Sequence, residues 1–221
     1  MMGGMKWVTF DCFGTLIDWR HGISTSAELV APGQGERLLA AYIRHEAVVQ
    51  EESPGLRYRR VLAEALRRAC AQEGVALGDD DLSVLAATIP YWPAFPEVGA
   101  ELSALRAAGW NLALLTNCDR DLIGETQRRL PVPFDAVVTA EDVGAYKPAD
   151  AHFDRFRRAH APDPWVHVAQ SYMHDMEPAH RLGIRRVWIN RQAERPKDPS
   201  ILQEVLPDLH GLLSVVEKAA R

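Results

Sequence analysis

Short apolar runs alternate with helix-length amphipathic stretches over much of the chain, and this rhythm predicts the elements. Lys6-Trp-Val-Thr-Phe-Asp11 is β-prone, apolar and ends on an acid, as a buried strand does. Between residues 34 and 73 the period becomes helical. Leu38, Leu39, Tyr42 and Ile43 recur at helical spacing, Ser53-Pro-Gly55 breaks the run, and Leu62, Leu66 and Ala69 resume it. Asp79 to Ala87 opens on an acid-rich turn and reads as a further helix. Pro90-Tyr-Trp-Pro-Ala-Phe-Pro96 cannot continue it.

From residue 97 onward the alternation is regular. It predicts helices at 97–108, 121–130, 151–160, 176–182 and 209–220, and buried strands at 112–116, 136–139, 166–169 and 186–189. Strands alternating with helices indicate an α/β fold with a doubly wound parallel sheet. The first strand belongs to this series, so the helical stretch interrupts it. The expected organisation is a Rossmann-like core of residues 1–16 and 97–221, with an all-helical cap subdomain at 17–96. An insertion directly after the first strand sits at the carboxyl edge of the sheet, where open α/β folds bind ligands. Helices placed there cover a site and exclude water.

Composition narrows the partners. The chain has 221 residues, 47% apolar and 25% charged, which suits a globular protein that folds without disulfides or a structural metal. Thirty acids against 25 Lys and Arg give a net charge of −5, which disfavours a nucleic-acid surface but permits a local cationic pocket for a small anion. Cys12, Cys70 and Cys118 are scattered and form no CxxC pair, so a zinc knuckle is not expected. No run approaches the roughly 18 apolar residues of a membrane span. The first ten residues lack the apolar stretch of a signal peptide. A cytoplasmic protein is expected, without nucleic-acid or membrane partners.

Four positions carry candidate chemistry, each just after a predicted strand or in the loop that follows. Asp11 ends the first, with Gly14 permitting a tight turn and Thr15 able to donate to a carboxylate. Thr116 and Asn117 end the second and offer hydrogen bonds to an anion. Lys147, held before Pro148, can lower the pKa of a neighbouring carboxylate. Ser171 and Asp175 follow the fourth strand. Each has a bland reading alone: a strand-end acid, polar turn residues, a solvated lysine, a helix N-cap. All four along one sheet edge make coincidence a poor account.

With these motifs the chain resembles the haloacid dehalogenase superfamily over essentially its whole length. Asp11-Cys-Phe-Gly-Thr-Leu16 resembles its nucleophile loop, Leu114-Leu-Thr-Asn117 its second motif, Tyr146-Lys-Pro148 its third, and Val168 to Asp175 its fourth. Most members are phosphatases, with a second acid two residues after the nucleophile. Phe13 stands there and cannot protonate a leaving alkoxide. Ala169-Gln170 stands where an acid is usual in the fourth motif, which leaves Asp11 and Asp175 as the carboxylates for Mg²⁺.

An aromatic residue at position 13 is similar to the 2-haloacid dehalogenase branch. That resemblance implies hydrolysis of short 2-haloacids to 2-hydroxy acids without metal or other cofactor. Asp11 would form an ester, Lys147 would keep Asp11 ionised, and Thr15 would orient it. Asp175 would position or deprotonate water, and Ser171 would support Lys147 or the water. Thr116, Asn117 and the backbone N–H groups after Asp11, at Cys12 and Phe13, would hold the substrate carboxylate. Arg44 would bind the halide, with Phe13, Tyr42 and Trp92 as apolar lining. The partner would be a small anionic substrate, and a homodimer is a possibility the resemblance raises. Tyr172 and Thr116 depart from the more usual Asn and Ser of that branch. The competing readings are a Mg²⁺-dependent phosphatase and a binding module that has lost catalysis.

Overall fold

The computed structural model describes residues 5–220, and a six-stranded parallel sheet forms its centre. In chain order the elements are β1 (Trp7–Phe10), α1 (Trp19–Val30), α2 (Gly35–Glu52), α3 (Tyr58–Glu73), α4 (Val84–Thr88), α5 (Val98–Ala107), β2 (Asn111–Thr116) and α6 (Arg120–Gln127). They continue with β3 (Ala136–Thr139), α7 (Ala140–Val143), α8 (Ala151–His160), β4 (Trp165–Ala169), α9 (Glu177–Arg181), β5 (Arg185–Ile189), β6 (Glu204–Leu206) and α10 (Leu212–Ala219).

The sheet order is β3-β2-β1-β4-β5-β6. β1 lies between β2 and β4, with Trp7 to Phe10 in register with Asn111 to Leu114 on one side and Trp165 to Val168 on the other. Helices cover both faces of such a sheet, so its central strands are mostly apolar rather than alternating. All four residues of β1 are buried. The α/β class expected from the alternation is the observed one.

Helices α1 to α4 all fall between β1 and α5, and α2 packs on both α1 and α3. Two connecting segments join them to the sheet side by side. Asp18 N–H donates to Pro93 O at 2.8 Å, and Phe95 N–H donates to Leu16 O at 3.0 Å. A second attachment lies at the start of α3. The Asp119 carboxylate accepts the Tyr58 and Arg59 N–H groups at 2.9 and 3.0 Å, satisfying donors that a helix N-terminus otherwise leaves open. Tyr146 Oη donates to Leu56 O beside it.

Several elements differ from expectation. α1 was not foreseen, because His21-Gly-Ile-Ser-Thr-Ser26 has low helix propensity and weak periodicity. Tertiary packing supplies what propensity lacks. Gly22 lies against Trp92, where a Cβ would come within 2.3 Å of the indole. The short α7 and β6 were also missed, and α10 begins at Leu212 rather than 209. The expected helix 79–87 is a 3₁₀ turn at Asp80–Ser83 followed by α4. No helix among the described residues is long and apolar enough to cross a membrane.

Gly22→Ala tests that contact. The added methyl must displace the Trp92 ring, so the variant is expected to lose roughly 1–3 kcal/mol, read from urea unfolding. An unchanged midpoint would show that α1 shifts freely against Trp92.

Candidate active site

Lys147 organises the carboxyl edge of the sheet. Its side chain is 1% exposed, and Nζ donates three hydrogen bonds: to Asp11 Oδ1 at 2.9 Å, Asp175 Oδ1 at 2.6 Å and Leu115 O at 2.8 Å. An ammonium has three donors, and all three are used. Asn117 fixes the lysine backbone from both sides. Its Oδ1 accepts the Lys147 N–H at 2.7 Å, and its Nδ2 donates to Lys147 O at 3.1 Å.

Asp11 follows β1, with its own N–H on Val168 O. Its second oxygen accepts from Thr15 Oγ1 at 3.0 Å, while Thr15 Oγ1 accepts the Gln170 N–H at 2.9 Å. That donor directs the Thr15 proton at Asp11. Gly14, at φ +94°, makes the intervening turn, and a side chain there would crowd Trp19 and Gln170. Cys12 is fully buried with its thiol in the core, while the Cys12 and Phe13 N–H groups make no backbone hydrogen bond among the described residues.

Asp175 is not an N-cap. It lies in a π-helical turn, Tyr172–Met176, capped by Ser171, whose Oγ accepts the His174 N–H at 3.1 Å. Such turns re-aim side chains and recur at functional sites. Asp175 Oδ1 also accepts from His167 Nε2 at 3.0 Å, while Oδ2 is buried without a partner. His167 Nδ1 is 2.8 Å from Thr9 Oγ1, which accepts the Trp165 indole N–H at 2.9 Å. The Asp175 carboxylate only accepts, so the imidazole proton resides on Nε2, facing Asp175, and Nδ1 accepts from the Thr9 hydroxyl.

Two buried carboxylates that share one ammonium titrate apart. Burial pushes Asp11 above the ordinary aspartate range; Lys147 opposes this only in part, and the Asp175 charge adds to it. Burial acts likewise on Asp175, but Lys147 and His167 outweigh it and bring its pKa to about 2. Burial disfavours the Lys147 charge, yet the two acids raise its pKa overall.

A cavity of about 760 Å³ opens over this cluster, lined by Asp11, Phe13, Thr116, Asn117, Lys147, Ser171 and Asp175 among others. Thr116 Oγ1 is buried there without a hydrogen-bond partner. Several expected roles change with the geometry. Arg44 does not line the cavity: its side chain is 55% exposed and lies 3.6 Å from Glu73. The α2 face turned inward is Leu39, Ile43, Glu46, Ala47 and Gln50, and Arg44 is rotated about 100° from Ile43. Asn117 spends its amide oxygen and one N–H on Lys147, which leaves its second N–H as a donor in the cavity lining. Ser171 holds the π turn and makes no hydrogen bond to Lys147. Tyr42 is fully buried, and Trp92 stacks edge-on to Phe13 at 5.8 Å from behind, so neither lines the cavity.

Thr9, His167, Gln170 and Arg191 were missed. Thr9 and His167 are register partners on adjacent strands, and a polar residue within each of two apolar runs was the available signal. Arg191 follows β5, donates to Thr15 O at 2.9 Å, pairs with buried Glu97 at 2.6 Å and lies over Phe95. It joins the nucleophile loop to the returning connection.

The model of the haloacid dehalogenase-like hydrolases matches residues 5–181, and the chain belongs to that family. It is 25% identical over 198 residues to the (S)-2-haloacid dehalogenase H-109 of Pseudomonas putida, covering 86% of this chain and 88% of that protein. The phosphoserine phosphatase of Thermus thermophilus is 35% identical over 122 residues, covering 53% of this chain and 47% of that protein. Among solved structures, the L-2-haloacid dehalogenase RSc1362 is similar with a TM-score of 0.85 and 26% identity, over 97% of this chain and 99% of that one.

Lys147→Met leaves Asp11 and Asp175 buried together without their cation. Roughly 3 kcal/mol or more of stability should be lost at pH 8. Folded-state pKa values raised above the unfolded value of about 3.9 penalise the fold as pH rises past that value, so the deficit should shrink at pH 5. Urea midpoints of variant and wild type at both pH values measure it. An equal gap at the two would mean that the carboxylates are not coupled through Lys147.

Proposed function

We propose that the protein hydrolyses 2-haloacids to 2-hydroxy acids through an ester on Asp11, without a metal. The carrying observation is the Asp11–Lys147–Asp175 arrangement with Phe13 where a proton donor would serve phosphoryl transfer. A departing halide takes the bonding electron pair and needs no proton. An alkoxide leaving group needs one, and a phenyl ring has none to give.

In the first step an Asp11 oxygen attacks the carbon bearing the halogen, the C–O bond forms as the C–X bond breaks, and halide leaves. Lys147 keeps Asp11 ionised despite burial. Thr116 Oγ1, the second Asn117 amide N–H and the Cys12 and Phe13 N–H groups are the unspent donors for the substrate carboxylate. Arg20 lines the cavity and has no carboxylate within 4 Å among the described residues, which suits it, rather than Arg44, to the halide. In the second step water adds to the Asp11 ester carbonyl. Asp175 Oδ2, unpartnered, accepts one water proton and returns it to the alkoxide oxygen as the C–O bond to the substrate breaks, so the 2-hydroxy acid leaves, and Asp11 releases the other water proton to solvent and is restored as a carboxylate. Residues 17–96 act as the cap over this chemistry.

The donor set does not fit Mg²⁺. Lys147 already occupies one oxygen of each carboxylate, Phe13 offers no oxygen, and no group of three or more His, Cys, Asp or Glu among the described residues is arranged to hold a metal.

Chloride release from L-2-chloropropionate should persist in EDTA and vanish in Asp11→Asn. A single turnover in heavy-oxygen water should first yield unlabelled product, since that oxygen comes from Asp11. Mg²⁺-dependent hydrolysis of a phosphate ester with no halide release would reverse the proposal.

His167→Phe removes the donor that orients Asp175 but leaves Asp11 in place. The second step should slow roughly tenfold or more, so that the ester accumulates and appears by mass spectrometry as an adduct on Asp11. His167→Gln, which keeps a donor, should recover part of the rate. Equal slowing of both steps would make His167 merely structural.

A further inference from the structure

The chemistry of the cavity changes where it meets the helical insertion. Leu39, Ile43 and Ala47 of α2 form an apolar wall, and Glu46 and Gln50, four residues apart on the same face, form a polar end beside Tyr58 of α3. Neither α2 nor α3 contributes a lysine or arginine to this lining among the described residues. The cavity's basic side chains come from other elements: Arg20 and His21 at the start of α1, Lys147, His174 in the π-helical turn, and Arg191, Arg195 and Lys197 after β5.

Two observations mark this end as more than an acidic surface. Gln50 is 9% exposed, lines the cavity and makes no hydrogen bond to any described residue. Glu46 Oε1 accepts from Tyr58 Oη at 2.8 Å, which fixes the carboxyl, and Oε2 takes no hydrogen bond among the described residues. Burial pushes the Glu46 carboxyl up from its ordinary value, with the Tyr58 and Tyr42 hydroxyls opposing. The open Glu46 oxygen and the Gln50 amide face the cavity rather than being sealed in the interior, so a ligand entering it can satisfy them. Two acceptors side by side, one a carboxylate, call for a cationic donor. The cavity also lies within the roughly 300–1,000 Å³ range of sites for larger ligands, well beyond what a three-carbon acid fills.

We propose that Glu46 and Gln50 form a second subsite that takes a primary ammonium group, so that the substrate class is an ω-amino-2-haloacid with an alkyl chain along Leu39, Ile43 and Ala47. The substrate class rests on the reaction proposed above; the subsite itself does not.

Binding is therefore measured apart from turnover. By calorimetry, 6-aminohexanoate should bind roughly tenfold or more tightly than heptanoate, which carries a methyl group in place of the ammonium. Glu46→Gln and Gln50→Met should each bring that ratio toward one while still melting as folded proteins. Heptanoate binding as tightly as 6-aminohexanoate to the wild type would overturn the subsite, whatever the halide assay gives. Chloride release should likewise be faster at low substrate from 6-amino-2-chlorohexanoate than from 2-chloroheptanoate. A tenfold binding preference with no chloride from these acids or from 2-chloropropionate would uphold the subsite and overturn the haloacid reaction and substrate class.

Discussion

The buried ammonium of Lys147 is the constraint on which the rest of the site depends. It lies where β1, β2 and β4 end together, and its three donors reach one group from each quarter: Asp11 after β1, the Leu115 carbonyl in β2, and Asp175 after β4. Desolvating one cation and two carboxylates is expensive, and the cost is offset only when the geometry satisfies every donor. Here the cation's side is complete. The loops bearing these residues are therefore tied to one point as well as to the sheet.

Each member of the trio is held from outside it. Gln170 steers Thr15, which steers Asp11. Trp165 and Thr9 hold the imidazole of His167, which steers Asp175. Asn117 clamps the Lys147 backbone. These supports start from backbone, from residues inside strands or, for Asn117, from the residue directly after one. Reactive groups held this way lose little freedom when a substrate arrives, which is what an in-line displacement requires. The π turn contributes on the Asp175 side, since an extra residue per turn places a carboxylate where an ordinary helix start would turn it outward.

How much of this was legible in the sequence follows from what each feature depends on. Asp11, Lys147 and Asp175 were readable because a strand end fixes the position of the residue that follows it, and apolar runs mark strands well. The helical insertion was readable from periodicity at α2 and α3, but α1 was not, since its helix rests on contact with Trp92. Arg44 was misplaced because resemblance locates a residue in a helix without setting the helix's rotation, and one position is about 100°. Thr9 and His167 were invisible individually. Their meaning lies in the register between β1 and β4, a long-range fact that neither strand carries alone.

The floor and the roof of the cavity consequently do different work. On the floor, nearly every polar atom is committed to another floor atom. The exceptions include Thr116 Oγ1, Asp175 Oδ2 and the backbone N–H groups after Asp11. Those suffice for a carboxylate and a water but leave nothing to distinguish one side chain from another. Discrimination must therefore come from α2 and its neighbours, whose inward face is set by helix phase and is free to vary without disturbing Lys147. That face carries the apolar Ile43 with Glu46 and Gln50 further along it, and it sets the charge a substrate meets while the reacting groups stay as they are. A fold arranged this way preserves its reaction and alters its substrate through one side of one helix.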